Sequence, residues 1–144
     1  MDALNFRSGI ITAGTFSTRN FNAWVQAVNR AGQTAHHIVG RGWGNMNAFG
    51  RDIINSFGNL MALDPAKHGQ ITAFFNSGYR LLQFMRDNQE FFGKVKTLQQ
   101  YVSGLSYSEQ ARWGWAVYDY LMINGTMKGF DPKFYGLLLD KSKI

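Results

Sequence analysis

The feature that most narrows the fold of this chain is a pair of short apolar runs, set around a glycine- and asparagine-rich stretch and followed at once by a helix start. The runs are Ala35-His36-His37-Ile38-Val39 and Asn59-Leu60-Met61-Ala62-Leu63, and the helix start is Asp64-Pro65. Each run is short and bounded by glycine or polar residues, so the two read as strands of a hairpin. Asp64 can accept from the free amides of a first helical turn, and Pro65 fills the first helical position, where its missing N–H is no loss. All three histidines of the chain, His36, His37 and His68, fall within this segment.

Elsewhere the pattern is helical. Phe21, Trp24, Val25 and Val28 recur at helical spacing in a helix that begins near Ser17 or Thr18 and stops at Gly32. The helix opened by Asp64-Pro65 is expected to run to about Arg86 and to bury Ile71, Phe74, Phe75, Leu82 and Met85. The sequence predicts another helix over residues 88–102, closed by Gly104, and one opened by Ser106 with Glu109 as a capping box, ending near Gly125. Asp131-Pro132 repeats the cap-and-proline signal for a last short helix. Residues 40–58 read as one long loop, and loops of that length in a compact domain are usually functional.

The expected class is α+β and mostly helical: a short β-hairpin plus helix, surrounded by additional helices. With 144 residues, 45% hydrophobic, and 12 Phe, 6 Tyr and 4 Trp, the chain can fill one compact core, so residues 1–144 are expected to form a single domain. Within it, residues 34–79 form the hairpin-and-helix core and 88–144 a C-terminal helical part. Residues 1–18, rich in glycine, serine and threonine, read as a linker or N-terminal extension, or equally as an ordinary loop or short strand.

Composition removes several classes of function. There is no cysteine, so disulfides, thiolate zinc sites and cysteine nucleophiles are excluded. No run approaches the ~18 apolar residues that cross a bilayer. Met1-Asp2-Ala3-Leu4-Asn5-Phe6-Arg7 lacks the basic and apolar regions of a Sec signal peptide. With 15 Lys plus Arg against 9 Asp plus Glu the net charge is +6, which favours a polyanionic partner, nucleic acid or an anionic membrane surface.

The residues His36-His37, Gly58-Asn59-Leu60 and His68 stand in an order that resembles the HNH, or ββα-metal (His-Me finger), endonuclease superfamily. The likeness is strongest to its Ala-His-His bacterial toxin nuclease domains, and it covers residues 34–79. It implies a metal-dependent endonuclease that hydrolyses phosphodiester bonds and leaves 5′ phosphates. By that likeness His36 and His68 are metal ligands, His37 is the general base, and Asn59 completes the catalytic set by bracing the long loop. Alternation along a strand sends His36 and His37 to opposite faces, so an adjacent pair can serve a metal and a phosphodiester at once.

Two departures from the family pattern carry chemical weight. Gly40 stands where many relatives have proline, which alters the turn but none of the donors. Thr72 stands where many relatives carry another histidine, leaving two imidazoles plus water. That set suits one divalent ion, Mg²⁺ or Mn²⁺ in turnover, with Zn²⁺ or Ni²⁺ able to bind.

Arg41, Arg51 and Lys67 are placed to meet phosphates, and Trp43 to stack on a base or sugar; Arg80, Arg86, Lys94 and Lys96 would extend that track. Trp113, Trp115, Tyr118 and Tyr120 read as core or interface aromatics. The expected substrate is DNA, cut without sequence preference, with RNA as the other candidate. The resemblance further implies a secreted or delivered antibacterial effector that acts in the target-cell cytoplasm, a larger parent protein that delivers it, and an acidic cognate immunity protein. Three other readings stay open at this point. They are a phage or mobile-element HNH endonuclease, a non-catalytic metal- or nucleic-acid-binding module, and a membrane-active toxin built on the phenylalanine-rich helices.

Overall fold

A computed structural model of the protein describes residues 18–42, 44–76, 97–132, 135 and 137. The chain forms two compact units, Met1–Gly69 and Gln70–Ile144. The architecture is mostly helical, with a two-stranded antiparallel hairpin, a small α+β fold.

In the first unit, helix α1 (Thr18–Arg30) rests against strand β1 (Thr34–His37). Its Val28 is buried, and Phe21, Trp24 and Val25 are half-buried on the same helical face. Gly32, at φ 76°, turns the chain out of the helix. Strand β1 pairs with β2 (Leu60–Leu63) in the register Thr34 to Leu63, Ala35 to Ala62, His36 to Met61 and His37 to Leu60. Ile38, Val39, Ile54, Leu60, Met61 and Leu63 bury their side chains in this unit.

Both strands are shorter than the apolar runs. Ile38 and Val39 lie beyond β1, although the Ile38 N–H still donates to the Asn59 carbonyl at 2.9 Å. Asn59 ends a 3₁₀ turn (Phe57–Asn59) instead of opening β2. The expected loop is also not structureless. It contains two short helices, α2 (Asn45–Phe49) and α3 (Arg51–Ile54), hinged at Gly50. Gly50 has φ 86° and ψ 151°, a conformation essentially reserved for glycine, and it ends one helix while starting the next. Five- and four-residue helices are too short to print a 3.6-residue period on a sequence, which is why the segment reads as loop.

Helix α4 (Pro65–Asn76) starts where the cap-and-proline signal puts it. The Asp64 carboxylate accepts from the Ala66 N–H at 2.8 Å and the Lys67 N–H at 3.4 Å. Ile71 and Phe74 are buried, whereas Phe75 is only half-buried. The expected continuation to Arg86, with Leu82 and Met85, lies outside the described residues.

In the second unit, α5 (Leu98–Val102) and α6 (Tyr107–Asn124) follow. The helix expected over residues 88–102 does not run unbroken to Val102. Thr97 is extended, and its hydroxyl accepts from the Gln100 N–H at 3.1 Å, so a helix starts afresh at Leu98. Ser106 caps α6 as expected, accepting from the Glu109 N–H at 3.2 Å and donating to the Glu109 carboxylate at 3.2 Å. Gly125, at φ 74°, closes it. Trp113, Val117, Tyr118 and Leu121 form the buried stripe of α6, and Trp115 and Tyr120 are half-buried. Of the last expected helix, Asp131, Pro132, Tyr135 and Leu137 are described and none is helical; the rest lies outside the described residues. No described helix is long and apolar enough to cross a membrane.

Candidate functional site

The site is built on β1 and the elements that its last two residues meet. Adjacent strand residues face opposite ways, and the two histidines accordingly have different neighbours. His36 is 7% exposed, and its ring meets the His68 ring edge-on, with centroids 5.3 Å apart and planes at 78°. His68 reaches it from the first turn of α4, where its N–H donates to the Asp64 carbonyl at 2.9 Å. The cap at Asp64 thus sets the position from which His68 approaches the hairpin.

His37, half-buried, faces another set of groups. Its Nε2 lies 2.9 Å from Asn55 Oδ1, and the Phe21 ring of α1 lies 5.9 Å away, centroid to centroid. Asn55 carries no motif signal. It is one asparagine among several in a segment that reads as loop, and only the tertiary register brings it to a residue 18 positions earlier.

Asn59 is fully buried and holds the surrounding backbone together. Its Oδ1 accepts from the Val39 N–H at 2.7 Å, and its Nδ2 donates to the Val39 carbonyl at 2.9 Å and to the Ile54 carbonyl at 2.8 Å. With Val39 the side chain acts as a peptide group would in a ladder, extending the hairpin beyond β1. The third bond ties the end of α3 to it. Both amide protons are spent on backbone, so this side chain supports the site and does not reach into it. Asn45 adds a similar tie, donating to the Gly40 carbonyl at 2.7 Å.

All three imidazoles are held towards the neutral form. Burial pushes His36 down to about 3, with the nearby His68 and His37 adding to the effect. Burial also lowers His37; the bond to Asn55 opposes this, while the charge of Arg41 and His68 reinforces it. His68 is lowered by burial. Neutral imidazole is the form that binds metals and the form that accepts a proton.

His36 and His68 are therefore the residues that could hold a divalent ion, being neutral, adjacent and on separate elements. Among the described residues no group of three or more His, Cys, Asp or Glu side chains is arranged to hold one. Two imidazoles suit an open site, in which water and substrate oxygens fill most positions, and do not make the closed four-ligand site of a structural zinc.

The expected phosphate contacts are divided. Arg41 is exposed just after the hairpin strand, and its charge is felt at His37. Arg51 is exposed on α3, and Lys67 is half-buried beside His68. Thr72, in the position of the absent histidine, is exposed. Trp43, Arg80, Arg86, Lys94 and Lys96 lie outside the described residues. No protein-family model matches the chain, and neither a curated protein nor a solved structure matches it.

Proposed function

We propose that this chain is a metal-dependent endonuclease of the HNH type, most simply a nonspecific DNase serving as a bacterial toxin domain. The observation that carries the reading is the division of labour at β1. His36 is paired with His68 at 5.3 Å, while its immediate neighbour His37 is held separately by Asn55 at 2.9 Å. Strand alternation alone separates the two rings; what supports the reading is that one of them meets a third imidazole while the other is hydrogen-bonded to a buried amide.

A divalent ion bound by His36 and His68 would supply Lewis-acid stabilisation of the charge that develops on the phosphate. His37, neutral near pH 7 because burial lowers its pKa, takes a proton from the attacking water. As the water oxygen bonds to phosphorus, the bond to the 3′ oxygen breaks and leaves a 5′ phosphate. Asn59 holds the backbone at Val39, two residues after His37, and at Ile54, next to Asn55, and the Arg41 side chain offers positive charge at the same end of β1. The net charge of +6 supports a polyanionic substrate. In this reading an acidic immunity protein protects the producing cell, and the enzyme acts in the cytoplasm of a target cell after delivery by a larger parent.

The test is incubation of the purified chain with supercoiled plasmid and with RNA, in Mg²⁺, Mn²⁺, Zn²⁺ or EDTA, beside His37→Ala. The expected outcome is metal-dependent nicking of DNA that falls about 10²- to 10⁴-fold in the variant. RNA-only cleavage would retain the site and change the substrate. Absence of cleavage with any metal, together with nucleic-acid binding that survives His37→Ala, would replace the enzyme with a binding module.

A further inference from the structure

Asn55 occupies an unusual place for a residue at the end of a four-residue helix. Its backbone is committed to ending α3, with its N–H donating to the Arg51 carbonyl at 2.9 Å. The residues on either side are tied down as well. The Ile54 carbonyl accepts from Asn59 at 2.8 Å, and the Ser56 hydroxyl donates to the Ile53 carbonyl at 2.7 Å. The side chain of Asn55 is 6% exposed, and its Oδ1 is aimed at His37 Nε2. An amide oxygen can only accept, so the proton in that bond belongs to the imidazole.

We propose that Asn55 is a positioning residue that holds His37 as the Nε2–H tautomer and thereby leaves Nδ1 as the basic nitrogen. The inference rests on the nuclease reading for its catalytic consequence, and on the hydrogen bond alone for its structural one. A neutral imidazole has one donor nitrogen and one acceptor nitrogen, and fixing the donor fixes the acceptor. With Nε2–H engaged by Asn55 and one side of the ring against Phe21, rotation about the side-chain bonds of His37 is restricted. The lone pair that takes the proton from water then points in one direction in every molecule. Hydrogen-bond partners that orient metal-bound histidines typically change activity by about 10- to 100-fold when removed, and the same scale is expected for an oriented base.

The experiment combines nitrogen-15 NMR of the metal-free protein near pH 8, where the ring is neutral, with cleavage kinetics on plasmid DNA. In the wild type His37 should show a protonated Nε2, an unprotonated Nδ1, and an Nε2 proton slow enough in exchange to be observed. Asn55→Leu should lose that proton signal and lower kcat about 10- to 100-fold, with KM little changed. Asn55→Asp, which keeps an acceptor oxygen, should restore the signal and most of kcat.

A wild-type spectrum with the proton on Nδ1 would overturn the proposal even if Asn55→Leu fails to fold. A folded Asn55→Leu with undiminished kcat would overturn it too. An Nε2–H spectrum in a wild type that cleaves nothing would support the hydrogen-bond assignment and defeat the nuclease reading instead.

Discussion

The segment between the two strands and helix α6 combine polar and apolar support in different proportions. Between the strands, Ile38, Val39 and Ile54 are buried, but much of the backbone is tied by a few buried polar side chains, chiefly Asn59 and Asn45, with Ser56 closing the end of α3. Helix α6 is held chiefly by a stripe of apolar and aromatic side chains, Trp113, Val117, Tyr118 and Leu121, with one buried polar side chain, Gln110, donating to the Leu105 carbonyl at 3.0 Å and a polar cap at its exposed start. Dispersion and apolar burial are spread over many individually weak contacts. A buried hydrogen bond that is lost leaves an unsolvated group behind. Among the described residues no buried side-chain polar atom lacks a partner, so the polar region is balanced, but each partner matters. The contrast fits the roles of the two regions. A site needs atoms at fixed positions, which directional bonds supply, whereas a helix that carries none of the candidate site residues needs only to stay folded.

The sharpest way to break this comparison is Asn59→Ala. The substitution would strand the Val39 N–H and the carbonyls of Val39 and Ile54 in a fully buried location. At ~1–3 kcal/mol for each unsatisfied group, the expected loss of stability is about 5 kcal/mol. Asn59→Asp should be no better, because a carboxylate oxygen would face the two carbonyls that the amide now serves. Urea denaturation of the variants beside the wild type checks this. A loss under about 1 kcal/mol would mean that the segment is held by something other than Asn59.

Acid provides a second test, because all three histidines belong to the first unit. In the metal-free protein His36 is lowered from 6.5 to about 3 by burial and by the neighbouring histidines. Between those values the unfolded chain binds more protons at this residue than the folded one, so stability falls as pH falls. By pH 5 the loss should reach roughly 2 kcal/mol from His36, with His37 and His68 shifted in the same direction. Urea midpoints in EDTA at pH 7 and pH 5 measure it. In His36→Gln this share of the dependence should vanish, and a wild type equally stable at both values would contradict the buried, neutral state of the ring.

How much of this was legible in the sequence follows from the range of each interaction. The Asp64-Pro65 start, the Ser106 cap and the Gly125 stop are local, and each appears where the residues announce it. The hairpin was legible because the apolar runs are bounded, but its ends were not, since Asn59 substitutes a side chain for the last rung. The fresh start at Leu98 had a signal in Thr97-Leu98-Gln99-Gln100, which has the form of a capping box. Helices α2 and α3 had none, being shorter than the period that identifies a helix. Asn55 is the least legible member of the site, because its role exists only once β1 and α3 are brought together.

The smallest expected effect tests the other side of the comparison. Ser106→Ala removes the hydroxyl that accepts from the Glu109 N–H at an exposed helix start. Water can replace that acceptor, so the loss should be about 1 kcal/mol, the usual worth of an N-cap. Amide exchange should quicken over the first turn of α6 and stay unchanged at Val39, whose N–H is held by Asn59. The two bonds lie at the two ends of the normal N–H···O range, 3.2 Å and 2.7 Å, and differ also in their access to solvent. If Ser106→Ala proved as damaging as Asn59→Ala, burial would not be what separates them, and the directional, polar construction of the histidine site would have no special bearing on its stability.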